Sequence, residues 1–596
     1  MRVMLAALAV LLVTAGCGLF GDDGPKNVAT AFLTAWSAGD DARAAALTDD
    51  PVAAGQLLGV TREALGPATL VAELAQVRTA TARAAASVEM TWQLGPDRTW
   101  TYLNELELLP VPDTEEGWVV HWGPTVVHPD LAARQRLELR TDPAQPAPVV
   151  DRAGVPLLTA TPVVAVLLDR TTAGDLPAVT GALARGLSPL DPQITQESIT
   201  EGAARTPDGQ VYPVALLRDT DYQGVKQAIH DLPGVRFSSA ERLLAPDAGF
   251  ARQVLPAVRT ETAAQLEGVA GWSVLLVDSS GATIRTLAEE PPRPGSTVTI
   301  GMDRAVQTAA EDAVEPVAQQ AMLVAVAPSS GDLLAVAQNG PADVAGALAL
   351  TGRYPPGSTF KIVTATAAAA EDGLSATSPV ACPGSTVIGG RPVPNSGLFD
   401  LGTVPLLTAF ARSCNTTFAR IASQLDAAAL PAAALRLGLG ADYAVPGLTT
   451  ITGSVPVSAD AVQRAEDGFG QGEVLATPLG MALTAATVAH GAPVVPQLLR
   501  DRPTQVLRPA AQPIAAELEQ LRPMMRAVVT DGTATQLAGL GEVFGKTGTA
   551  EFTNGGRSHG WFVGYRGDVA FAVLVVDAGS STPAIEVAAR FLSTIG

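Results

Sequence analysis

The sequence has few basic residues, and lysine is the scarcest of them. Among 596 residues, 39 are Lys or Arg and 59 are Asp or Glu, so the formal net charge is −20. A nucleic-acid partner needs a basic surface against its phosphates, so this charge balance argues against one. Arginine stays protonated and cannot act as a base, so a lysine kept in an arginine-based chain is a candidate for proton transfer. The chain has four lysines: Lys26, Lys226, Lys361 and Lys546.

Cysteine is also scarce, with only Cys17, Cys382 and Cys414 present. No cysteine or acidic cluster has the spacing of a metal site, so we interpret His121 and His128 as structural residues. Neither a metal nor a cofactor is expected. Cys414 has no adjacent histidine in the sequence, which argues against a cysteine nucleophile.

Long apolar runs are missing too, apart from a short one at the N-terminus. Val3–Val13 follows Arg2 and is almost wholly apolar, but it is too short to span a bilayer comfortably, as is typical of a secretory signal. The run ends in Thr14–Gly18, which is similar to a bacterial lipobox with Cys17 as the lipidated residue. An ordinary signal with an incidental cysteine is the alternative. The favoured prediction is a bacterial cell-envelope protein, lipid-anchored at the outer face of the cytoplasmic membrane.

The length exceeds that of a single core, and three domains are a reasonable expectation. A hydrophobic content of 47% with 16% charged residues is typical of a globular protein. Helical spacing over Asn27–Trp36, followed by partial alternation over Thr99–Leu109, predicts a small α+β domain. The proline-rich stretches Thr141–Pro148 and Pro291–Gly295 mark later domain boundaries.

The most informative stretch is Tyr354–Lys361, Tyr-Pro-Pro-Gly-Ser-Thr-Phe-Lys. It leads into Ile362–Ala370, an alanine-rich run with the composition of a buried helix. Ser358 and Lys361 stand at positions i and i+3, so on a helix they share one face and can touch. A serine becomes a nucleophile when a base takes its proton. A lysine can be that base when burial or a second cation keeps its amine neutral.

Two later motifs give this pair its context: Ser413-Cys414-Asn415 and, near the C-terminus, Lys546-Thr547-Gly548-Thr549. The order Ser-x-x-Lys, Ser-x-Asn, Lys-Thr-Gly resembles that of penicillin-binding proteins and class A β-lactamases. The chain resembles a class B penicillin-binding protein, a monofunctional transpeptidase of peptidoglycan synthesis. Further similar stretches are Gly468–Gly472, Asp531–Thr533 and His559–Tyr565.

The resemblance implies a multidomain α+β architecture. Its C-terminal part is expected to have the penicillin-binding, serine β-lactamase-like transpeptidase fold, an antiparallel sheet between helical layers. A small α+β domain and an elongated pedestal domain are expected before it. The segments are 1–17, a lipoprotein signal peptide and lipobox; 25–138, a methicillin-resistance-type N-terminal extension domain; 145–290, the dimerisation or pedestal domain; and 297–596, the transpeptidase domain.

The resemblance also implies a role for each motif residue. Ser358 would be acylated by the D-Ala-D-Ala end of a peptidoglycan stem peptide, with Lys361 as the base, and the acyl group would then pass to an acceptor amine. Ser413 would relay a proton to the leaving amine. Asn415 would hold Lys361 and the substrate backbone. Lys546 would supply a second positive charge that keeps Lys361 neutral and attracts the substrate carboxylate.

The third motif is expected to form a strand edge to which the substrate adds, with Phe571–Val576 as the neighbouring strand. Gly548 would leave room for the substrate backbone. The hydroxyls of Thr547 and Thr549 are candidates for carboxylate contact. By the same resemblance, the backbone N–H groups of Ser358 and Thr549 form the oxyanion hole.

Two other functions share this acylation chemistry. A serine β-lactamase needs a base for its deacylating water, and no Glu-x-x-Leu-Asn element lies between Asn415 and Lys546. A non-catalytic β-lactam receptor needs a transmembrane relay. Expected partners are stem peptides, β-lactams, the membrane and cell-wall synthesis proteins. Cys382 and Cys414 are candidates for a disulfide, since an exported domain can hold one; buried free thiols are the alternative.

Overall fold

A computed structural model describes residues 23–80, 82–112, 117–512, 515–552 and 557–596. The predicted signal and lipidation site, 1–17 with Cys17, lie outside the described residues. The chain divides into two compact units. The first comprises the residues up to Gln145 together with Val269–Pro294, and the second comprises Pro146–Gly268 together with Gly295–Gly596.

The described residues of the first unit form three helices and two antiparallel sheets. The side chains of Asp40 and Asp50 cap the second and third helices by accepting backbone N–H groups. The aromatic rings of Phe32, Trp36 and Trp92 pack together in its core. The helices are Gly24–Ser37, Asp41–Ala45 and Pro51–Leu65; the four-stranded sheet is Thr69–Ala80, Arg83–Gly95, Arg98–Pro110 and Trp118–Val120; a 3₁₀ turn is Pro124–Val126; the three-stranded sheet is Thr283–Glu290, Gly271–Val277 and Arg136–Asp142, in spatial order.

The three-stranded sheet differs from the predicted division of the chain. Gly271–Val277 was placed within the pedestal range 145–290, but it pairs with Arg136–Asp142 of the first unit. Thr283–Glu290 then pairs with Gly271–Val277 as a hairpin partner. The chain therefore returns to its first unit before it continues into Gly295–Gly596 of the second unit. Proline-rich linkers alone do not reveal such a return.

The predicted structural histidines both lie in the first unit. His121 Nδ1 lies 2.6 Å from Asp49 Oδ2, and His128 Nδ1 accepts the Asp130 N–H at 3.1 Å. Across the described ranges, no group of three or more His, Cys, Asp or Glu side chains is arranged to hold a metal ion.

Residues 146–268 of the second unit form a mixed sheet with flanking helices. Its longest strand, Pro156–Leu168, pairs with both Tyr212–Arg218 and Val235–Leu244. The remaining elements of this segment are the short strand Val149–Val150, paired with Pro156–Leu168 and with Val298–Thr299, and the helices Leu176–Leu187, Gln196–Arg205, Asp219–Ile229, Leu255–Glu261 and Ala263–Glu267.

The Asp-Arg pair that opens this segment ties it to the next. Asp151 accepts the N–H groups of Ala153 and Val155 through one oxygen and that of Arg304 through the other. Arg152 lies 3.6 Å from the buried carboxylate of Asp332. The carboxylate of Asp151 therefore connects its own turn to Arg304 in the following segment through hydrogen bonds.

A five-stranded antiparallel sheet organises the C-terminal segment, in agreement with the predicted fold class. Its spatial order is Leu333–Gln338, Ala321–Val326, Val569–Val575, Ser558–Arg566 and Phe544–Glu551. Helices cover it: Pro478–His490 packs on Val569–Val575, and Arg304–Val314 packs with Thr582–Thr594 against the sheet. The other helices are Gly340–Asp343, Leu348–Thr351, Lys361–Asp372, Leu406–Ala411, Asn415–Gln424, Ala429–Arg436, Ala461–Gly468 and Ala515–Thr530; 3₁₀ turns are Gly357–Phe360, Ser396–Leu398 and Thr535–Leu537.

Four short strand pairs complete this segment. They are Pro379–Cys382 with Gly402–Pro405, Ser385–Ile388 with Arg391–Pro394, Asp442–Ala444 with Gln505–Arg508, and Gly453–Ser454 with Leu475–Ala476. Among all the helices of the described ranges, none is both long enough and apolar enough to cross a bilayer.

The strand order corrects one prediction. Phe571–Val576 was expected beside the Lys-Thr-Gly strand, but Ser558–Arg566 lies between them and pairs with both. Consecutive strands form a hairpin when their connection is short. Both Ser558–Arg566 and Val569–Val575 are almost continuously buried strands, and the sequence analysis took the more uniformly apolar one as the neighbour.

Candidate active site

The candidate nucleophile lies in a tight turn ahead of a buried helix. The turn is Gly357–Phe360, and the predicted helix follows directly as Lys361–Asp372. Gly357 has a φ of 53°, and a Cβ atom there would lie 2.5 Å from the carbonyl oxygen of Thr549. Glycine is therefore required, and it brings Ser358 against the Lys-Thr-Gly strand.

Lys361 is fully buried, and its amine is surrounded by oxygen atoms. Nζ lies 2.9 Å from Ser358 Oγ and 2.7 Å from Asn415 Oδ1. It also lies 2.8 Å from the carbonyl oxygen and 3.1 Å from Oγ of Ser413. A neutral amine has two N–H groups and one lone pair. It can donate to the Asn415 and Ser413 carbonyl oxygens and still direct its lone pair at the Ser358 hydroxyl.

Ser413 adopts a strained backbone that places its hydroxyl between two lysines. Its φ is 62°, in the left-handed region that non-glycine residues rarely adopt. The next residue, Cys414, is the N-cap of the helix Asn415–Gln424, so the turn is fixed by a helix start. Ser413 Oγ lies 3.0 Å from Lys546 Nζ as well as within reach of Lys361. Strain of this kind is concentrated at functional sites.

Lys546 is fully buried on the other side of Ser413. Its amine donates to the Thr547 carbonyl at 2.9 Å and lies 5.6 Å from the centre of the Phe410 ring. Burial lowers the pKa of Lys546 to about 7. Among the described residues, Lys546 thus contacts oxygen atoms and an aromatic ring, and no carboxylate is found within ion-pair distance of its amine.

Burial is also the main reason that the pKa of Lys361 lies well below its ordinary value, and the charge on Lys546 lowers it further. The sequence analysis named burial and a second cation as the two causes that can keep a lysine neutral, and both act on Lys361. One positive charge on Lys546 disfavours a second nearby. The arrangement can therefore hold Lys361 neutral beside a protonated Lys546.

The Lys-Thr-Gly strand is Phe544–Glu551, and it is the terminal strand of the five-stranded sheet, as the predicted edge requires. Thr547 is buried, and its Oγ1 lies 2.6 Å from Oγ1 of Thr533. A Cβ atom on Gly548 would lie 2.8 Å from the Pro356 carbonyl oxygen. The neighbour that requires this glycine is therefore the serine turn, whereas the sequence analysis named the substrate backbone.

Comparisons with known proteins agree with this geometry. The family model of the penicillin binding protein transpeptidase domain matches residues 321–595. The model of the NTF2-like N-terminal transpeptidase domain matches residues 24–135, within the first compact unit.

Curated relatives match part of the chain. The peptidoglycan D,D-transpeptidase PbpA of Mycobacterium tuberculosis H37Rv is 32% identical over 256 residues, which cover 38% of this chain and 50% of that protein. PbpA of Mycolicibacterium smegmatis is 32% identical over 260 residues, covering 39% and 51%. The chain thus spans about half the length of the curated relatives it matches.

A solved structure supports the fold. One chain of the complex between penicillin-binding protein PBP2 and MreC from Helicobacter pylori superposes with a TM-score of 0.60 at 17% identity. The match covers 77% of this chain and 99% of that one. At this identity the likeness is one of fold.

Some residues that contact the motifs in the structure were given no role by the sequence analysis, among them Trp561, Thr533 and Gln471. Trp561 Nε1 donates to the Pro355 carbonyl at 3.0 Å, Thr533 contacts Thr547, and Gln471 contacts the Lys-Thr-Gly strand. All three fall in stretches that had been matched to the family by pattern. A pattern match marks such a stretch, but it does not reveal which side chain bridges to which backbone.

Cys382 and Cys414 lie together at the base of the Ser-x-Asn turn. Both are buried, their Cα atoms are 6.2 Å apart, and the sulfur atoms are joined as a disulfide in the structure. Cys382 ends the strand Pro379–Cys382, whereas Cys414 directly precedes Asn415. A bond here would connect the turn that carries Ser413 and Asn415 to a separate strand.

We predict that this bond forms when the protein is made in an oxidising compartment and that it contributes roughly 3 kcal/mol to the free energy of unfolding, because it closes a loop of 32 residues in the unfolded chain. Cys382→Ala should lower the urea midpoint of unfolding accordingly. The wild type treated with reductant should unfold at the same midpoint as the variant, because it lacks the same bond. The check is thiol titration of the denatured, unreduced protein. Two free thiols from this pair would contradict the prediction.

Proposed function

We propose that the protein is a class B penicillin-binding protein, a peptidoglycan D,D-transpeptidase. The observation that carries the proposal is the unbroken chain of contacts from Ser358 Oγ through Lys361 Nζ and Ser413 Oγ to Lys546 Nζ, at 2.9, 3.1 and 3.0 Å. Both lysines are fully buried. A purely structural positive charge in this arginine-based chain could be supplied by arginine. Proton transfer requires an amine that can lose its proton, as these two adjacent buried lysines can.

In the acylation step, the lone pair of Lys361 takes the hydroxyl proton of Ser358. The oxygen then attacks the carbonyl carbon between the two terminal D-alanines. The N–H groups of Ser358 and Thr549 stabilise the oxyanion. When the peptide bond breaks, Ser413 gives its proton to the leaving D-alanine amine and regains one from the adjacent lysine pair. An ester at Ser358 and free D-alanine are the products.

In the second step, an acceptor amine attacks the ester. Its nitrogen forms a new peptide bond, the Ser358–acyl bond breaks, and the proton lost by the amine passes to the Ser358 oxygen through the neutral Lys361. The buried site supports transfer over hydrolysis, since no carboxylate lies within hydrogen-bonding reach of Ser358 in the described contacts to activate water.

The direct test is a transfer assay. The purified protein is incubated with a D-alanyl thioester donor and a D-amino acid acceptor, and the products are identified by mass spectrometry. We expect a new amide that requires both reactants. A donor that is hydrolysed at the same rate with and without acceptor would contradict transpeptidation.

The pH dependence should report on Lys546. Its pKa of about 7 means that it loses its charge as the pH rises through 7 in the free protein. For a donor with a terminal carboxylate, kcat/KM should therefore fall by about tenfold or more above this pH, because a charged hydrogen bond is lost. The same donor with a terminal carboxamide is the control and should show a much smaller decrease. Identical profiles would exclude Lys546 as the carboxylate partner.

We further propose that the remaining segments place this domain at the cell envelope. Residues 25–138, together with the returning segment Val269–Pro294, would serve as the extension domain, and residues 146–268 would serve as the pedestal domain. Cell-wall synthesis proteins are the expected partners. The lipobox-like stretch ending at Cys17 supports a lipid anchor on the outer face of the cytoplasmic membrane.

The anchor can be tested in a bacterial host. The mature protein should begin at Cys17 and sediment with membranes, and Cys17→Ala should abolish labelling with a fatty-acid probe. Cys382→Ala is the matched control and should keep the label. A labelled Cys17→Ala protein, or a mature N-terminus elsewhere, would contradict lipidation at this residue.

A further inference from the structure

The terminal strand Phe544–Glu551 presents alternate residues to its open side. The carbonyl oxygen of Thr547 accepts a bond from Lys546 Nζ, and that of Thr549 accepts one from Gln471 Nε2, so neither is engaged by the neighbouring strand. In a strand, the N–H and C=O of one residue point to the same side, and the next residue points to the other. The open side of the strand, which a substrate would approach, therefore carries the backbone N–H and C=O groups of Thr547, Thr549 and Glu551.

Gln471 occupies the far end of this edge. Its Nε2 donates to the Thr549 carbonyl at 3.2 Å, and its Oε1 accepts the Glu551 N–H at 3.1 Å. In an antiparallel pair these two groups would bond to two residues of the adjoining strand that lie two positions apart. The Gln471 carboxamide thus occupies the place of an adjoining strand at the edge beyond Thr549.

The loop that carries Gln471 is fixed from both sides. Gly470 has a φ of 78°, and its carbonyl accepts the Gly357 N–H at 3.0 Å. A Cβ atom on Gly470 would lie 2.0 Å from the Gly357 oxygen. Asp467 is 1% exposed and accepts the Glu473 N–H at 2.8 Å, which closes the loop behind Gln471. The carboxamide is therefore positioned by the same turn that positions the nucleophile.

The direction of a bound donor follows from the proposed function, on which this inference rests. Its carboxylate lies toward Lys546 and Thr547, and its reactive carbonyl lies at the Thr549 N–H. The rest of the donor then runs toward Glu551. The Thr549 carbonyl has two lone pairs, so it can accept the N–H of the reacting D-alanine while it keeps the bond from Gln471. The Glu551 N–H is already taken.

We propose that Gln471 is a specificity-determining residue that ends strand pairing at the reacting D-alanine. The residue before the D-alanine directs its N–H and C=O away from the strand, and the acyl carbonyl that precedes this residue, which would otherwise accept the Glu551 N–H, is not bound by the sheet. Substrate selection along the rest of the stem peptide is then left to groups outside the sheet edge. Removal of the carboxamide frees the Glu551 N–H to donate to that acyl carbonyl, which only the long donor described below carries.

The test compares two thioester donors with the same D-alanyl reacting end. The short donor carries an acetyl group on the D-alanine nitrogen, and the long donor carries an N-acetylated diamino acid there. For Gln471→Ala, the ratio of kcat/KM for the long donor to that for the short donor should rise about fivefold, the effect of one added hydrogen bond. Gln471→Asn, which is too short to bridge both groups, should change it in the same direction. Gln505→Ala removes an exposed amide elsewhere in the domain and should leave the ratio unchanged.

Hydrogen exchange gives a readout that needs no substrate. In Gln471→Ala the Glu551 amide should exchange about tenfold faster, because it loses its acceptor. An unchanged Glu551 exchange rate, an unchanged donor ratio, or an equal increase for both donors would each overturn the proposed end of pairing. Failure of the wild type to acylate with either donor would instead contradict the proposed function, and faster Glu551 exchange would still support the closed edge.

Discussion

One molecule of β-lactam should bind covalently to each molecule of protein, and the added mass should map to the peptide that contains Ser358. A β-lactam presents a strained amide where the D-Ala-D-Ala bond would sit. The Ser358 hydroxyl, which lies 2.9 Å from Lys361 Nζ, attacks it with the groups that serve the substrate. Ser358→Ala should lose all covalent binding, since alanine has no oxygen to form the ester.

The acyl-enzyme should persist, because the leaving group stays tethered after ring opening. It blocks the acceptor amine and any productive water. Ser593→Ala is the matched control: Ser593 is an exposed serine of the C-terminal helix Thr582–Thr594, and its loss should leave labelling unchanged. Intact-mass spectra before and after long incubation, with assay of free hydrolysed drug, measure both points.

Each other outcome assigns the protein to a different function. Rapid multiple turnover of the β-lactam would identify a hydrolase. Stable acylation of Ser358 without transfer from any thioester donor would favour a receptor. Labelling that survives Ser358→Ala would exclude Ser358 as the nucleophile and, with it, the interpretation of the whole contact chain.

The three motifs could be recognised in the sequence because each is short and local. Ser358 and Lys361 lie in adjacent turns of one segment, and Ser413 and Asn415 flank a helix start. Their convergence was expected from the family resemblance alone. No periodicity in the sequence predicts the 3.0 Å contact between Ser413 Oγ and Lys546 Nζ, because this contact depends on the packing of a turn against a strand that is distant in the chain.

The contacts that the sequence analysis missed also join residues that are far apart in the chain. The pairing of Gly271–Val277 with Arg136–Asp142 joins strands that are far apart in the chain, and local residue patterns do not identify the partner of a strand. Gln471 bridges to the backbone of Thr549 and Glu551, and such a bond leaves no compositional trace at either end. The structure shows these contacts where residue patterns do not.

Arginine in place of Lys361 should retain a cation and still nearly stop acylation. The guanidinium cannot deprotonate at any working pH, so no lone pair faces Ser358. Loss of a general base typically costs about 10²- to 10⁴-fold in rate, and we expect the β-lactam acylation rate constant to fall within this range. Stopped-flow or quenched-flow measurement with a chromogenic β-lactam determines it.

Lys546→Arg is the matched control because it makes the same change at the other buried lysine. Lys546 donates to Ser413 and to the Thr547 carbonyl, and a guanidinium can donate to both. Its role as a cation survives the change, so the loss in acylation rate should be milder than for Lys361→Arg. Both substitutions enlarge a fully buried side chain, which separates the cost of volume from the cost of basicity. Equal losses in the two variants would show that volume dominates, and a wild-type rate for Lys361→Arg would exclude Lys361 as the base.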